Sequence, residues 1–215
     1  MKKTKNRAGF TLVELLATIA IVAIIAAVSL PAIGYARAYG DRSKAISNMR
    51  SIGNGIDLYA ADNDGLLPGP LWPGQLAELD PNRAGRLVRI LAPYLGIETP
   101  SQPKVIDLFM PPAYRKTTAP AALSASRTYV VNMAVVSGNS TINAWGSLAA
   151  NNGSGPLRQS MIPANAWGFS DADQLHPRVV GASWAANTPA FPIHQKRLAW
   201  FFNGSVVAVE TQDLQ

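Results

Sequence analysis

Residues 8–33 read AGFTLVELLATIAIVAIIAAVSLPAI, and this stretch decides the fold. Residues 15–36 form a run of 22 positions without a charged side chain. As a helix, such a run is about 33 Å long, and the hydrocarbon core of a bilayer is about 30 Å thick. We therefore predict a membrane-spanning helix near the N-terminus.

The residues before this run are basic. Lys2, Lys3, Lys5 and Arg7 supply four of the six net positive charges, and no acidic residue lies among them. Positive charge before an apolar run keeps the N-terminus in the cytoplasm, so we expect the rest of the chain on the far side of the membrane. The other basic residues are scattered and lack an array of stacking aromatic side chains, so we expect no nucleic-acid binding.

The apolar run has three competing interpretations. It is a secretory signal peptide with a cleavage site at residues 36–38, a plain membrane anchor, or a helix that is kept after a short leader is removed. Glu14 favours the third. An acidic residue at the start of an apolar segment costs about 2–3 kcal/mol at membrane depth. A helix that packs among other helices can neutralise that charge, whereas a plain anchor gains nothing from it.

The residues from Gly9 to Glu14 resemble the processing site of type IV pilins and type II secretion pseudopilins. That family has Gly before the cut, Phe as the first mature residue and Glu at the fifth mature position. The resemblance implies cleavage between Gly9 and Phe10 by a prepilin peptidase, and N-methylation of Phe10. It also implies that Glu14 serves assembly by pairing with the freed amine of a neighbouring subunit.

The function implied by this resemblance is structural. We expect a subunit, anchored in the bacterial inner membrane with its head in the periplasm, that assembles with copies of itself and other pilin-like subunits. The filament would be a type II secretion pseudopilus or a related one. A type IV pilin for adhesion or DNA uptake, and a membrane-tethered binding domain that does not assemble, are the alternatives.

Pro31 lies within the predicted helix. Proline removes one backbone hydrogen bond and clashes with the preceding turn, which costs about 3 kcal/mol. The resemblance implies a helix kink at Pro31 during filament packing. The alternative is that the helix simply ends there, near the membrane face.

Beyond Pro31 the pattern predicts an amphipathic continuation of the helix. The apolar positions recur at helical spacing, namely Tyr39, Ile46, Met49, Gly53, Ile56 and Ala60. Gly53 and Gly55 weaken a helix by about 1 kcal/mol each, so we expect packing to hold this part in place. Turn-forming residues 62–65 predict its end, with Gly65 as the C-cap.

The remainder predicts an α+β head with an antiparallel sheet, which the resemblance makes pilin-like. The resulting domains are a leader at 1–9, a transmembrane and assembly helix at 10–36, its amphipathic continuation at 37–62 and the globular head at 63–215. Residues 66–120 are rich in Pro and Gly and predict loops around one short helix near 83–95. Strands are predicted at 128–136, 166–170, 179–184, 197–202 and 205–209, with a type I′ turn at Asn203 and Gly204.

We expect no enzymatic activity from the head. It contains His176, His194, Asp171, Asp173 and many serines, but no G-x-S-x-G, H-E-x-x-H or Gly-rich phosphate motif. With no cysteine, the chain has no disulfide and no thiolate metal site.

We predict neither a cofactor nor a metal ion. Asp171 and Asp173 suggest calcium as an alternative to a solvated turn, and residues 62–65 only weakly resemble a calcium loop. His194 and the later hairpin resemble a group of prepilin-like proteins with a His-x9-Asp-Gly pattern. In this chain eight residues, instead of nine, separate His194 from Asn203, and Asn203 stands where the pattern has Asp. We expect His194 to order the approach to the hairpin through a backbone hydrogen bond.

Overall fold

The computed structural model describes residues 11–148, 153–194 and 196–214. The chain divides into two compact units, Met1–Gly40 and Asp41–Gln215, and we call the second the head unit. The helices are α1 Leu12–Asp62, α2 Leu87–Leu91 and α3 Pro112–Thr117. The strands are β1 Gly74–Leu76, β2 Glu78–Leu79, β3 Lys104–Val105, β4 Arg127–Val131, β5 Val135–Ser137, β6 Ser140–Ile142, β7 Trp167–Asp171, β8 Arg197–Phe201 and β9 Val206–Val209.

Short 3-10 helices join these elements. They lie at Pro93–Leu95, Asp107–Phe109, Pro120–Ala122, Gln159–Met161, Ala185–Asn187 and Thr211–Leu214.

Helix α1 ends where the turn-forming residues predict. Its last residue is Asp62, and Asp64 and Gly65 follow with φ of 53° and 78°. The Gly65 N–H donates to the Ala60 carbonyl at 2.8 Å, which satisfies one of the carbonyls left free at a helix end. Residues up to Gly40 belong to the first unit and later ones to the head unit.

The head unit contains a five-stranded antiparallel sheet in the order β1-β4-β7-β8-β9. Strands β2 with β3 and β5 with β6 form two smaller antiparallel pairs. The predicted α+β class with an antiparallel sheet is confirmed, and the strands predicted at 166–170, 197–202 and 205–209 correspond to β7, β8 and β9.

Three predictions about the sheet are wrong. Residues 179–184 form successive turns, in which the Val179 and Ala182 N–H groups donate to the carbonyls three residues earlier. The strand predicted at 128–136 is divided into β4 and β5, because the Asn132 carboxamide accepts the Ala134 N–H and turns the chain. Strand β1 was predicted as loop, yet it forms the sheet edge beside β4.

The β8–β9 hairpin is present, but its turn is not type I′. The Gly204 N–H donates to the Phe201 carbonyl, and Gly204 has a φ of 81°. Asn203 is not at positive φ, whereas a type I′ turn needs both residues there. The Asn203 side chain instead accepts the Ser205 N–H at 2.9 Å. The loop therefore has three residues and a glycine bulge, the next most common hairpin connection.

The amphipathic stripe of α1 forms one side of the head unit's core. Met49, Ile52 and Ile56 are fully buried in one cluster with Phe169 and Trp200 of the sheet. Ala45 and Ala60 are buried as well, whereas Tyr39, which was predicted on this stripe, is 77% exposed.

Two glycines of α1 allow other parts of the head unit to approach the helix closely. A Cβ at Gly53 would lie 2.1 Å from the indole Nε1 of Trp200, and one at Gly55 would lie 2.9 Å from Leu95 Cδ2. These glycines weaken the helix locally but permit the contacts that hold it.

The helix predicted near 83–95 is shorter than expected. It is reduced to α2 and the 3-10 turn at Pro93–Leu95, because the chain before Leu87 is extended at Arg86. Leu87 and Leu91 nevertheless dock into the main core, as their apolar character predicts.

Candidate functional site

The predicted processing site begins outside the described residues. Gly9 and Phe10 lie there, so the structure gives no geometry for the predicted cut or for methylation. The described chain starts at Thr11, immediately before the first turn of α1.

Glu14 is held by a hydrogen-bonded cap at the start of α1. The backbone N–H and the hydroxyl of Thr11 each donate to Glu14 Oε2 at 2.9 Å. The Glu14 N–H donates back to Thr11 Oγ at 3.2 Å. This reciprocal arrangement is a capping box, and the spacing T-x-x-E before an apolar run is its sequence signature. The sequence prediction treated Glu14 only as an isolated charge, although the T-x-x-E spacing also indicates this local role.

The surface that follows is apolar and uncovered. From Thr11 to Gly40 every residue whose side chain the structure describes is exposed, including Leu16, Ile21, Val28 and Leu30. Among the described residues one helix, α1, is long and apolar enough to cross a membrane. Burying a Val, Leu or Ile side chain gains about 1.5–3 kcal/mol, so a cover of lipid or neighbouring helices stabilises this segment strongly.

The helix does not end at Pro31. Its backbone stays helical through this residue and on to Asp62, so the alternative of a helix end at the membrane face is wrong. Pro31 has no N–H to offer the carbonyl four residues earlier, so one helical hydrogen bond is missing in the middle of the apolar segment.

In the head unit the structure brings together a serine and a histidine. Ser170 Oγ and His176 Nε2 are 2.8 Å apart, and both side chains are fully buried. His176 Nδ1 accepts the Arg178 N–H at 3.0 Å, which places the imidazole proton on Nε2. Burial lowers the pKa of His176 to about 3, with the positive charges of Arg197 and Arg178 adding to the effect.

This pair lacks the arrangement of a catalytic dyad. A general base for a serine needs an unprotonated nitrogen facing the hydroxyl and an acceptor that orients the other nitrogen. Here Nε2 donates to Ser170 and Nδ1 faces a backbone donor. The sequence offered no indication of the contact, which arises where the end of β7 meets the turn after it.

Asp173 is engaged by a buried arginine. Arg197 Nε and Nη2 donate to its two oxygens at 2.6 and 2.8 Å, and both side chains are almost fully buried. The Leu175 N–H also donates to Asp173 at 2.9 Å. The prediction of a solvated turn is therefore wrong for this residue. The calcium alternative would have to displace Arg197 from the same oxygens.

Asp171 is buried in a different way. Its Oδ2 accepts the Leu198 N–H at 3.0 Å, while its Oδ1 has no hydrogen-bond partner among the described residues. Burial raises the pKa of Asp171 to about 7, and the charge of Asp173 adds to the rise. Asp171 thus carries a proton over much of the acidic range. Within the described ranges, no group of three or more His, Cys, Asp or Glu side chains is placed to hold a metal ion.

His194 lies at the entrance to β8. Its backbone bridges to Lys196, and its Nε2 is buried without a hydrogen-bond partner among the described residues. Burial lowers the pKa of His194, with Arg42 adding to the effect and Asp41 opposing it. The ordering role expected of His194 stays a prediction.

Residues 4–30 match a family model described as the prokaryotic N-terminal methylation motif. Together with the capped, uncovered apolar helix that begins within it at Leu12, this motif defines a prepilin-like protein. The matched segment includes Gly9, Phe10 and Glu14, but the comparison assigns no role to these residues individually.

Curated relatives show where the likeness is strongest. The type II secretion system core protein G of Escherichia coli K12 and that of Vibrio cholerae are each 32% identical over 63 residues, or 29% of this chain and 43% of the relative. Core protein G of Aeromonas hydrophila is 32% identical over 60 residues. The chain thus spans less than half the length of the curated relatives that it matches. No solved structure matches the chain.

Proposed function

We propose that this chain is a structural subunit that a prepilin peptidase cuts after Gly9, and that assembles through α1 into a type II secretion pseudopilus or a related filament. The observation that carries the proposal is the uncovered apolar surface of α1, most of which lies within the residues that match the methylation motif. Similarity to core protein G of type II secretion systems supports the secretion role.

The proposed location follows from charge and hydropathy. The basic leader stays in the cytoplasm, α1 crosses the inner membrane and the head unit lies in the periplasm. Neighbouring subunits, whether copies of this chain or other pilin-like proteins, replace lipid around the apolar segment during assembly. Pro31 supplies a position where the helix can bend as it packs.

Glu14 is proposed to set the axial register between subunits. Cleavage after Gly9 creates a positive amine on Phe10, and the Glu14 carboxylate of a neighbour is its natural partner in a low-dielectric bundle. Two unpaired charges at that depth are costly, so only the register that pairs them is stable.

The head unit is proposed to have no catalytic role. The Ser170–His176 pair is neutral and fully buried, and Asp173 is held by Arg197. These contacts fix the turn between β7 and β8 and so support the sheet.

The test is the mass of the mature chain. The full chain is expressed with a prepilin peptidase, and its intact mass and N-terminal peptide are measured. We expect loss of residues 1–9 and one added methyl on Phe10, whereas Gly9→Val should stay uncut because a branched side chain crowds the peptidase site. Sheared filaments containing the processed chain should then be recovered.

Two results would contradict the proposal. A mature chain that starts at Tyr39 would identify a secretory signal peptide. A correctly processed chain that never enters a filament, when the secretion machinery is present, would identify a membrane-tethered domain instead.

A further inference from the structure

A small pocket in the head unit is lined by two arginines and two tryptophans. Its volume is about 290 Å³. The lining residues come from the segment around β1, the start of α2, the start of β4 and the turn before Ala185–Asn187, and they are Trp72, Pro73, Gly74, Arg86, Arg127 and Trp184. None of them has a part in the proposed processing or assembly.

The two arginines of this pocket have no acidic partner among the described residues. The acids of the neighbourhood, Glu78 and Asp80, pair with Arg83 at 3.7 and 3.2 Å. Arg86 donates from Nη1 to the Gly74 carbonyl at 2.7 Å, but its Nε is buried without a hydrogen-bond partner. Two guanidinium groups thus line one cavity, and neither has an acidic partner within the described residues.

The surroundings make this arrangement costly without a ligand. Burial lowers the pKa of Arg86 to about 10, and repulsion from Arg127 and Arg83 adds to the effect, with Glu78 opposing it. Burial also lowers the pKa of Arg127, again with repulsion from Arg83. Both groups stay charged at neutral pH, so an anion in the pocket would relieve their repulsion and accept charge-assisted hydrogen bonds from them.

The tryptophans supply flat apolar walls, and Trp184 lies against Arg127. The Arg127 guanidinium carbon lies 5.1 Å from the centre of the Trp184 ring. A guanidinium stacked in this way keeps the N–H groups at its edge free for a planar acceptor. Trp72 is 43% exposed and lines the same cavity.

A glycine of the lining, Gly74, leaves room for the pocket's side chains. A Cβ on Gly74 would lie 2.5 Å from Arg127 Cδ and 3.0 Å from the Trp184 ring. Gly85 lies outside the lining, and a Cβ there would lie 2.2 Å from Leu148 Cδ1 and 2.8 Å from Trp72 Cδ1. A side chain at Gly74 would therefore displace Arg127 or Trp184, and one at Gly85 would displace Leu148 or Trp72.

We propose that this pocket binds a carboxylate carried on a planar or apolar body. Arginine edges match the two oxygens of a carboxylate, and indole faces accept the apolar part. The carboxylate could belong to a free organic acid or to the C-terminus of a polypeptide, which present the same chemistry to the pocket.

The experiment titrates the full chain in detergent micelles with benzoate and follows the tryptophan indole N–H resonances by NMR. Benzamide, a neutral molecule of the same shape, is the ligand control. We expect saturable shifts at Trp72 and Trp184, with benzoate bound at least about tenfold more tightly than benzamide, because the neutral amide forms no bidentate, charge-assisted pair with the arginines.

Variants test the assignment to these residues. Arg127→Gln should weaken benzoate binding about tenfold or more, whereas Arg50→Gln, which removes the same charge from an exposed part of α1, should change it less than about twofold. An unchanged Trp200 resonance shows that the head unit is folded. If Arg127→Gln does not fold, Arg127→Lys, which keeps the charge and loses the planar fork, should still weaken binding.

N-acetylphenylalanine and its amide distinguish the two sources of the carboxylate, a free organic acid and the C-terminus of a polypeptide. Tighter binding of the acid than of benzoate identifies a polypeptide C-terminus, and weaker binding identifies a free acid. Equal binding of benzoate and benzamide, or wild-type affinity in a folded Arg127 variant, would overturn the proposal. Neither result bears on processing or assembly, because no lining residue belongs to α1.

Discussion

Thr11 donates two hydrogen bonds to a single oxygen of Glu14, so the carboxylate that is proposed to join subunits is already anchored within its own chain. The other oxygen, Oε1, accepts no hydrogen bond from the described residues, and the Glu14 side chain is exposed. The cap therefore fixes the direction of Glu14 without using up its capacity to bind an amine.

The charge and the capping role of Glu14 can be separated. Glutamine keeps the capping geometry but carries no charge, whereas alanine loses both. We expect Glu14→Gln and Glu14→Ala to be cut after Gly9, and both to reduce filament recovery by about tenfold or more, since each 1.4 kcal/mol of lost pairing is tenfold. Cleavage is read by gel shift and recovery by shearing. Wild-type filament yield from Glu14→Gln would assign Glu14 to capping alone.

The head unit should fold without the apolar segment. A chain that starts at Asp41 keeps the buried stripe of α1, and we expect it to be soluble, monomeric and cooperatively folded. A chain that starts at Leu66 lacks the stripe and exposes the sheet face that it covers, so it should aggregate. Size-exclusion chromatography and thermal unfolding compare the two. Equal behaviour would mean that the stripe is not part of the core.

Gly53→Ala should destabilise the head unit although alanine is the better helix former. The gain in helix propensity is about 1 kcal/mol. The added methyl would have to displace the buried Trp200 ring, and overpacking of this kind costs typically about 1–3 kcal/mol. Gly40→Ala is the matched control, because a Cβ there meets nothing within 4 Å. Denaturant unfolding of the full chain should show a lower midpoint for Gly53→Ala alone.

The buried Asp171 and His176 should impose opposite pH dependences on stability. Asp171 has a pKa of about 7 in the folded chain against an ordinary 3.8, so the folded state holds its proton more strongly and stability falls as pH rises between these values. His176 has a pKa of about 3 against 6.5, so its contribution falls as pH drops from 6.5 towards 3. Between about pH 4 and 6.5 the two slopes oppose each other.

Asp171→Asn should expose the slope of His176. Relative to the wild type, the variant should lose stability on acidification from pH 6.5 to 4, by up to about 1.4 kcal/mol per pH unit. Unfolding free energies measured across this range for both proteins give the difference directly. If the unfolding free energies of the two proteins changed with pH in parallel, Asp171 would not bind a proton in the folded chain.

Calcium should leave the turn after β7 unchanged. Arg197 occupies both oxygens of Asp173, so adding millimolar calcium or a chelator should not shift the melting temperature of the chain. Arg197→Met should instead cost about 3–5 kcal/mol, because it leaves a buried carboxylate without its partner. A rise in the melting temperature of the wild type with calcium would support the alternative that Asp171 and Asp173 bind calcium.

The sequence was informative where local periodicity and turn chemistry agree with the final packing. The unbroken apolar run and the cluster after Asp62 predicted α1, and alternation with a following Asn-Gly predicted the β8–β9 hairpin. The prediction of the buried stripe on α1 was largely correct, because the positions on a helix face that packs against a sheet recur every three or four residues.

The failures have physical causes as well. Residues 179–184 have the composition of a strand, but successive local hydrogen bonds turn the chain there. Strand β1 has only three residues, and its pairing with β4 comes from a distant part of the chain. The Ser170–His176 contact and the arginine pocket depend on tertiary placement, which residue spacing does not encode.

Gly53 of α1 lies against Trp200 of β8, so the core of the head unit joins a segment near its start to one near its end. The core cannot close until the final hairpin has been synthesised and, in the proposed topology, moved across the membrane. Until then the apolar stripe of α1 remains exposed. Contacts so distant in sequence form slowly. Loss of the last hairpin should therefore be as damaging as a change in the core, and export factors that hold the chain unfolded would act during this interval.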